Sequence, residues 1–97
     1  MRVIARRALR EFWQVHPRAE QPLKAWYAEA ARATWRSPQD IKRIYAHASF
    51  VADNRVVFNI AGNRYRLIVH VSYGYRIVYV KFVGTHAEYD RVDPETI

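Results

Sequence analysis

Residues 55–83, RVVFNIAGNRYRLIVHVSYGYRIVYVKFV, decide how this chain folds. Val, Ile, Tyr and Phe dominate the stretch, and branched and aromatic side chains suit a pleated sheet. Gly62-Asn63 and Tyr73-Gly74 interrupt it at hairpin spacing. The pattern predicts three antiparallel strands over Arg55–Ile60, Arg64–Ser72 and Tyr75–Val83. With two-residue loops, Phe58 faces Leu67, Val56 faces Val69, Leu67 faces Val80, Val69 faces Val78 and Tyr65 faces Phe82. These residues share one apolar side, because side chains alternate along a strand. The other side carries Arg55, Val57, Asn59, Arg64, Arg66, Ile68, His70, Tyr79 and Lys81. In this register Arg66 stands opposite Lys81. Like charges so placed cost about 0.2–1 kcal/mol, and an anion such as phosphate between them would offset that cost.

The residues before the sheet read as helices. Met1–Ile4 suits a short strand that could join the sheet edge. Ala5, Ala8, Leu9 and Phe12 fall on one face of a helix over 5–16, which Pro17 stops. Leu23, Trp26, Tyr27, Ala30 and Thr34 give the inward stripe of a second helix over about 20–35, with Pro22 in its first turn. Ser37-Pro38 looks like a cap before a short helix carrying Ile41, Ile44 and Tyr45. The order β-α-α-β-β-β is an α+β fold, an antiparallel sheet with the helices on one face.

The chain has 97 residues, room for one domain spanning 1–97. It contains no Cys, so disulfides and thiolate sites are excluded. No run is long and apolar enough for a membrane span or secretory signal, and the expected location is the cytoplasm without membrane contact. Sixteen basic against nine acidic residues give a net charge of +7, and 13 of the basic residues are Arg. Arg forks match phosphate, so nucleic acid is the first partner to consider. Between Asp53 and Glu88 there is no acidic residue, whereas Glu88, Asp90, Asp93 and Glu95 crowd the tail.

That tail carries the second set of candidates. Thr85 and Glu88 have capping-box spacing, so a helical turn should start at His86. His86, Tyr89 and Asp90 then share one face. Imidazole suits acid–base work near neutrality, Tyr can donate a proton or stack, and Asp90 can orient the ring. His16 and His47 read as surface residues, and His70 lies on the basic side of the sheet. No set of His, Asp and Glu has metal-ligand spacing, no glycine-rich phosphate loop is present, and no cofactor is expected.

The order of elements resembles the RelE/ParE superfamily of bacterial toxins. The segments Trp35–Lys42, Val57–Leu67 and Val83–Asp90 resemble the HigB toxin family. The resemblance implies a metal-independent endoribonuclease, an mRNA interferase that enters the ribosome and cuts mRNA during translation. It also implies a HigA-type helix-turn-helix antitoxin, with operator DNA bound only through the toxin–antitoxin complex. In the matching segments stand Asn63, Arg66, His86, Tyr89 and Asp90, with Lys81 added from the strand register. Arg66, Lys81, His86, Tyr89 and Asp90 are the expected catalytic set. Arg55, Asn59, Asn63, Arg64, His70 and Tyr79 are expected to bind RNA. The same superfamily holds ParE-type poisons of DNA gyrase, and a non-catalytic RNA-binding module would share the basic sheet; both alternatives stay open on sequence.

Overall fold

A computed structural model describes residues 1–97. Its elements run β1 (Arg2–Ile4), α1 (Arg6–Val15), a 3-10 turn (Pro17–Ala19), α2 (Glu20–Arg32), α3 (Pro38–Ile44), β2 (Ser49–Val51), β3 (Arg55–Ile60), β4 (Tyr65–Ser72), β5 (Ile77–Thr85) and α4 (His86–Tyr89). The sheet order is β1-β5-β4-β3-β2. β1 pairs parallel with β5 and every other pair is antiparallel, which makes the sheet mixed. The fold is α+β, as the sequence predicts. No helix is long and apolar enough to cross a membrane.

One face of the sheet meets the helices. Leu9 and Trp13 of α1, Leu23, Trp26 and Ala30 of α2, and Ile41 of α3 pack on Val56, Phe58, Leu67, Val69, Val71 and Val78. Phe58 lies at the centre, with ring centroids 4.9 Å from Tyr45, 5.5 Å from Trp26 and 6.4 Å from Trp35. α2 stops at Arg32, earlier than the apolar stripe suggests, and Ala33 is extended. The reason is Trp35. At about 100° per residue, a continued helix would place it roughly 140° away from Ala30, on the outer side. Breaking the helix lets the indole turn into the core, where it is 3% exposed. Ser37 takes the extended backbone of an N-cap, but its side chain makes no capping bond. Asp40 instead accepts from the backbone N–H of Arg36 at 2.9 Å.

A fifth strand, β2, was not expected from composition. Asp53 and Asn54 both sit at φ 59° between β2 and β3. Two consecutive left-handed residues make the tight hairpin turn that Asp and Asn tolerate, so the signal lay in that dipeptide.

The register of β3 on β4 agrees with the sequence reading: Phe58 faces Leu67, and Val56 faces Val69. That of β4 on β5 does not. Val69 faces Val80, two residues on from Val78. The turn takes four residues, Tyr73–Arg76, with Arg76 at φ 59°. A bulge then adds one more residue, so Leu67 faces Val83 and Ile68 faces Phe82. A bulge re-aims the strand beyond it. It turns Phe82 away from the helix-covered face and brings Val83 to that face. Arg66 therefore faces Gly84. The expected Arg66–Lys81 opposition does not exist, and Lys81 occupies the bulge.

The second face is also less open than its charges suggest. Val57 and Ile68 belong to it, yet they are 3% and 0% exposed. The chain after β5 covers them. Tyr89 lies over Arg66, with the guanidinium carbon 5.7 Å from the ring centroid. At the far end, Arg55 donates from Nε and Nη2 to the backbone oxygen of Ile97 at 3.1 and 2.8 Å. The segment between runs across the sheet, with Val92, Pro94 and Ile97 half-buried.

Candidate active site

The β3–β4 turn and α4 meet at one end of the sheet. Ala61 and Gly62 take left-handed backbone at φ 54° and 67°, which closes the turn. This folds Asn63 back over Arg66. The Nη1 of Arg66 donates to the carbonyls of Asn63 and Tyr65 at 3.2 and 3.3 Å, and its Nη2 donates to Oδ1 of Asn63 at 3.0 Å. Arg66 is 9% exposed. No carboxylate comes within the 4.0 Å of a salt bridge. A buried guanidinium is thus held by neutral oxygens and one aromatic face, with no carboxylate paired to it. Of its five N–H donors, the Nε–H and one on Nη2 are not spent on these bonds.

Gly84 faces Arg66 across the ladder. A Cβ there would lie 2.4 Å from the Phe82 ring and 3.2 Å from Cβ of Glu88. The missing side chain therefore lets Phe82 and α4 close over this end of the sheet.

α4 is a single turn with a complete capping box. Glu88 N–H donates to Oγ1 of Thr85 at 3.2 Å, and the Thr85 N–H donates to Oε1 of Glu88 at 2.8 Å. The His86 N–H donates to the carbonyl of Arg64 at 3.1 Å, which ties the turn to β4. His86 Nδ1 lies 3.3 Å from Oδ2 of Asp90, with both side chains at least half exposed. With Nδ1 directed at a carboxylate, Nε2 is the nitrogen left for chemistry.

The Thr85 amide bond to Glu88 holds that carboxyl below its ordinary 4.5, with slight burial working against it and the Thr85 hydroxyl, His16 and Arg91 adding to it. A depressed folded pKa stabilises the fold above the ordinary value, and the contribution is lost as pH falls through the folded one. We expect α4 to loosen in acid below pH 4.5. Amide exchange at Thr85, whose N–H donates to that carboxylate, should speed up there, and Glu88→Gln should abolish the dependence. Exchange that is flat with pH after correction for intrinsic rates would contradict this.

The structure gathers Asn63, Arg64, Arg66, His86, Tyr89 and Asp90 at this end, with Asn59 facing Arg66 on β3. It places the other candidates elsewhere. His70 and Tyr79 face each other with rings 6.0 Å apart. His70 is four residues along β4 from Arg66, roughly 13 Å at about 3.3 Å per residue. Arg55 is engaged by Ile97 and lies 3.8 Å from Asp53. Lys81 is exposed in its bulge, three residues from Gly84. Two residues set aside in the sequence belong near the site. His16 is half-buried, stacked on Phe12 at 4.4 Å and tilted against Tyr65 at 5.9 Å. His47 lines a cleft that also includes Asn59 and Asn63. Each joins segments distant in sequence, so no local motif marks it. No group of three or more His, Asp and Glu side chains is placed to hold a metal ion.

The HigB_toxin family, described as the RelE-like toxic component of a toxin-antitoxin system, matches residues 19–92. Every residue gathered at the site falls inside that span. The chain is 27% identical over 92 residues to the mRNA interferase toxin HigB of Escherichia coli (strain K12), covering 93% of this chain and 88% of that protein. It is equally similar to proteins named mRNA interferase HigB from Escherichia coli O157:H7 and Shigella flexneri.

Proposed function

The chain belongs to the HigB family of RelE-like toxic components of toxin–antitoxin systems, and from that premise we propose that it is an endoribonuclease that cuts mRNA on the translating ribosome. Its cognate antitoxin would be a HigA-type helix-turn-helix protein, and operator DNA would be reached only through their complex. The observation that carries the reading is the Arg66 guanidinium, buried without a carboxylate, beside the His86–Asp90 pair. A cation kept in that state has anion binding as its natural use. Relatives named mRNA interferases supply the substrate class.

In the reaction a ribose 2′-oxygen attacks the adjacent phosphorus as the bond to the next 5′-oxygen breaks. The products are a 2′,3′-cyclic phosphate and a free 5′-hydroxyl. Nε2 of His86 accepts the 2′-hydroxyl proton, with Asp90 orienting the ring. The Tyr89 hydroxyl returns a proton to the leaving oxygen. The remaining Nε–H and Nη2–H of Arg66 grip the phosphate oxygens as charge builds on them, where preorganised donors count most. Side chains supply both proton transfers and the charge stabilisation, so the step as proposed is metal-independent. Asn59 and Arg64 lie beside this centre and position the RNA backbone. Lys81, His70 and Tyr79 lie further along the face and contact RNA away from the reacting phosphate.

Primer extension on a reporter mRNA after induction tests the reading. New 5′ ends should appear within the translated region, vanish from an untranslated copy, and be suppressed by co-expressed antitoxin. Growth arrest with intact mRNA would overturn it.

A further inference from the structure

A cleft of about 650 Å³ opens beside the turn that holds Arg66. One wall is the segment after α3, with Tyr45, His47 and Ala48; the other is Phe58 and Asn59 of β3, and Asn63 of the turn. β2 pairs only with Arg55–Val57, so the outer edge of β3 beyond Val57 has no strand partner, and the cleft lies along it. Lys42 fixes the outer wall by donating from Nζ to the Ala48 carbonyl at 3.0 Å. No acidic residue lines the cleft.

We propose that this cleft is a nucleobase subsite, and that His47 and Asn59 set which nucleotide is accepted beside the scissile phosphate. The inference rests on the ribonuclease reading and deepens it. Asn63 belongs to both places: its carbonyl and Oδ1 hold Arg66, and it lines the cleft. A phosphate at Arg66 would therefore bring an adjoining base to the cleft mouth. The volume lies in the range of small-ligand sites, about 300–1,000 Å³. Single-stranded RNA is read in such places by stacking on aromatic or imidazole rings and by hydrogen bonds to the base edge. The exposed His47 and the half-buried Tyr45 offer the first, and the Asn59 amide and the unpaired strand edge the second. No carboxylate stands in the lining itself to repel an RNA chain.

The test maps cut positions on a translated reporter for the full chain, for His47→Ala and for Ala46→Trp, which narrows the cleft. Melting curves check that each variant folds. Both variants should redistribute the cuts, with the ratio of preferred to disfavoured positions falling about tenfold, the scale of a lost base-stacking contact. Wild-type positions and intensities in both would overturn the subsite. So would a uniform loss of cutting at all positions, which would assign His47 to the reaction itself. Unchanged cutting with lost neutralisation by antitoxin would make the cleft a protein-docking site and also overturn it. A wild-type chain that cuts nothing would fail the ribonuclease reading, a result distinguishable from the others.

Discussion

Arg66→Ala is expected to lower mRNA cleavage by at least about a hundredfold, the scale of removing one preorganised donor from a transition-state charge. Its effect on stability should be small, within about 1 kcal/mol, because opposing changes nearly cancel. The variant loses the bonds to Asn63 and Tyr65 and the stacking under Tyr89. It also removes a buried charge that no carboxylate offsets. Asn63 is exposed, so water can satisfy its oxygens. Arg66→Lys should be nearly as inactive, since an ammonium cannot grip Asn63 and present a fork to phosphate at the same time. Single-turnover cleavage and a urea melt measured together decide the matter. A variant that folds normally and cuts at the wild-type rate would remove Arg66 from the centre of the site.

How much of this was legible depends on which interactions were local. The β3–β4 register followed from Gly62-Asn63, and α4 from Thr85 and Glu88, because each signal spans a few residues. The β4–β5 register failed for two reasons that composition does not carry. Arg76 adopts the left-handed backbone usually left to Gly or Asn, and the Lys81 bulge inserts one residue into β5. Reading Arg66 against Lys81 was therefore wrong in geometry, although Arg66 still stands beside α4. The charge segregation was visible, but its intramolecular use was not. The tail that carries the late acidic residues lies across the basic face, from Tyr89 at Arg66 to Ile97 at Arg55. That path covers Val57 and Ile68 and leaves the Asn63–Arg66 end as the part of the face that meets the cleft. His47 and His16 could be placed only once α3, α1 and the sheet had packed.

His86→Ala is expected to lower the cleavage rate by roughly a hundredfold to ten-thousandfold, the usual worth of a general base. Asp90→Asn should cost about tenfold, since its part is to hold the imidazole rather than to touch RNA. The pair is half exposed, and solvent can replace some of that orientation. If Asp90 acts through His86, the two losses cannot add: His86→Ala/Asp90→Asn should be no slower than His86→Ala alone. Additive losses would show that Asp90 contacts RNA independently. A larger loss from Asp90→Asn than from His86→Ala would transfer the base role to the carboxylate.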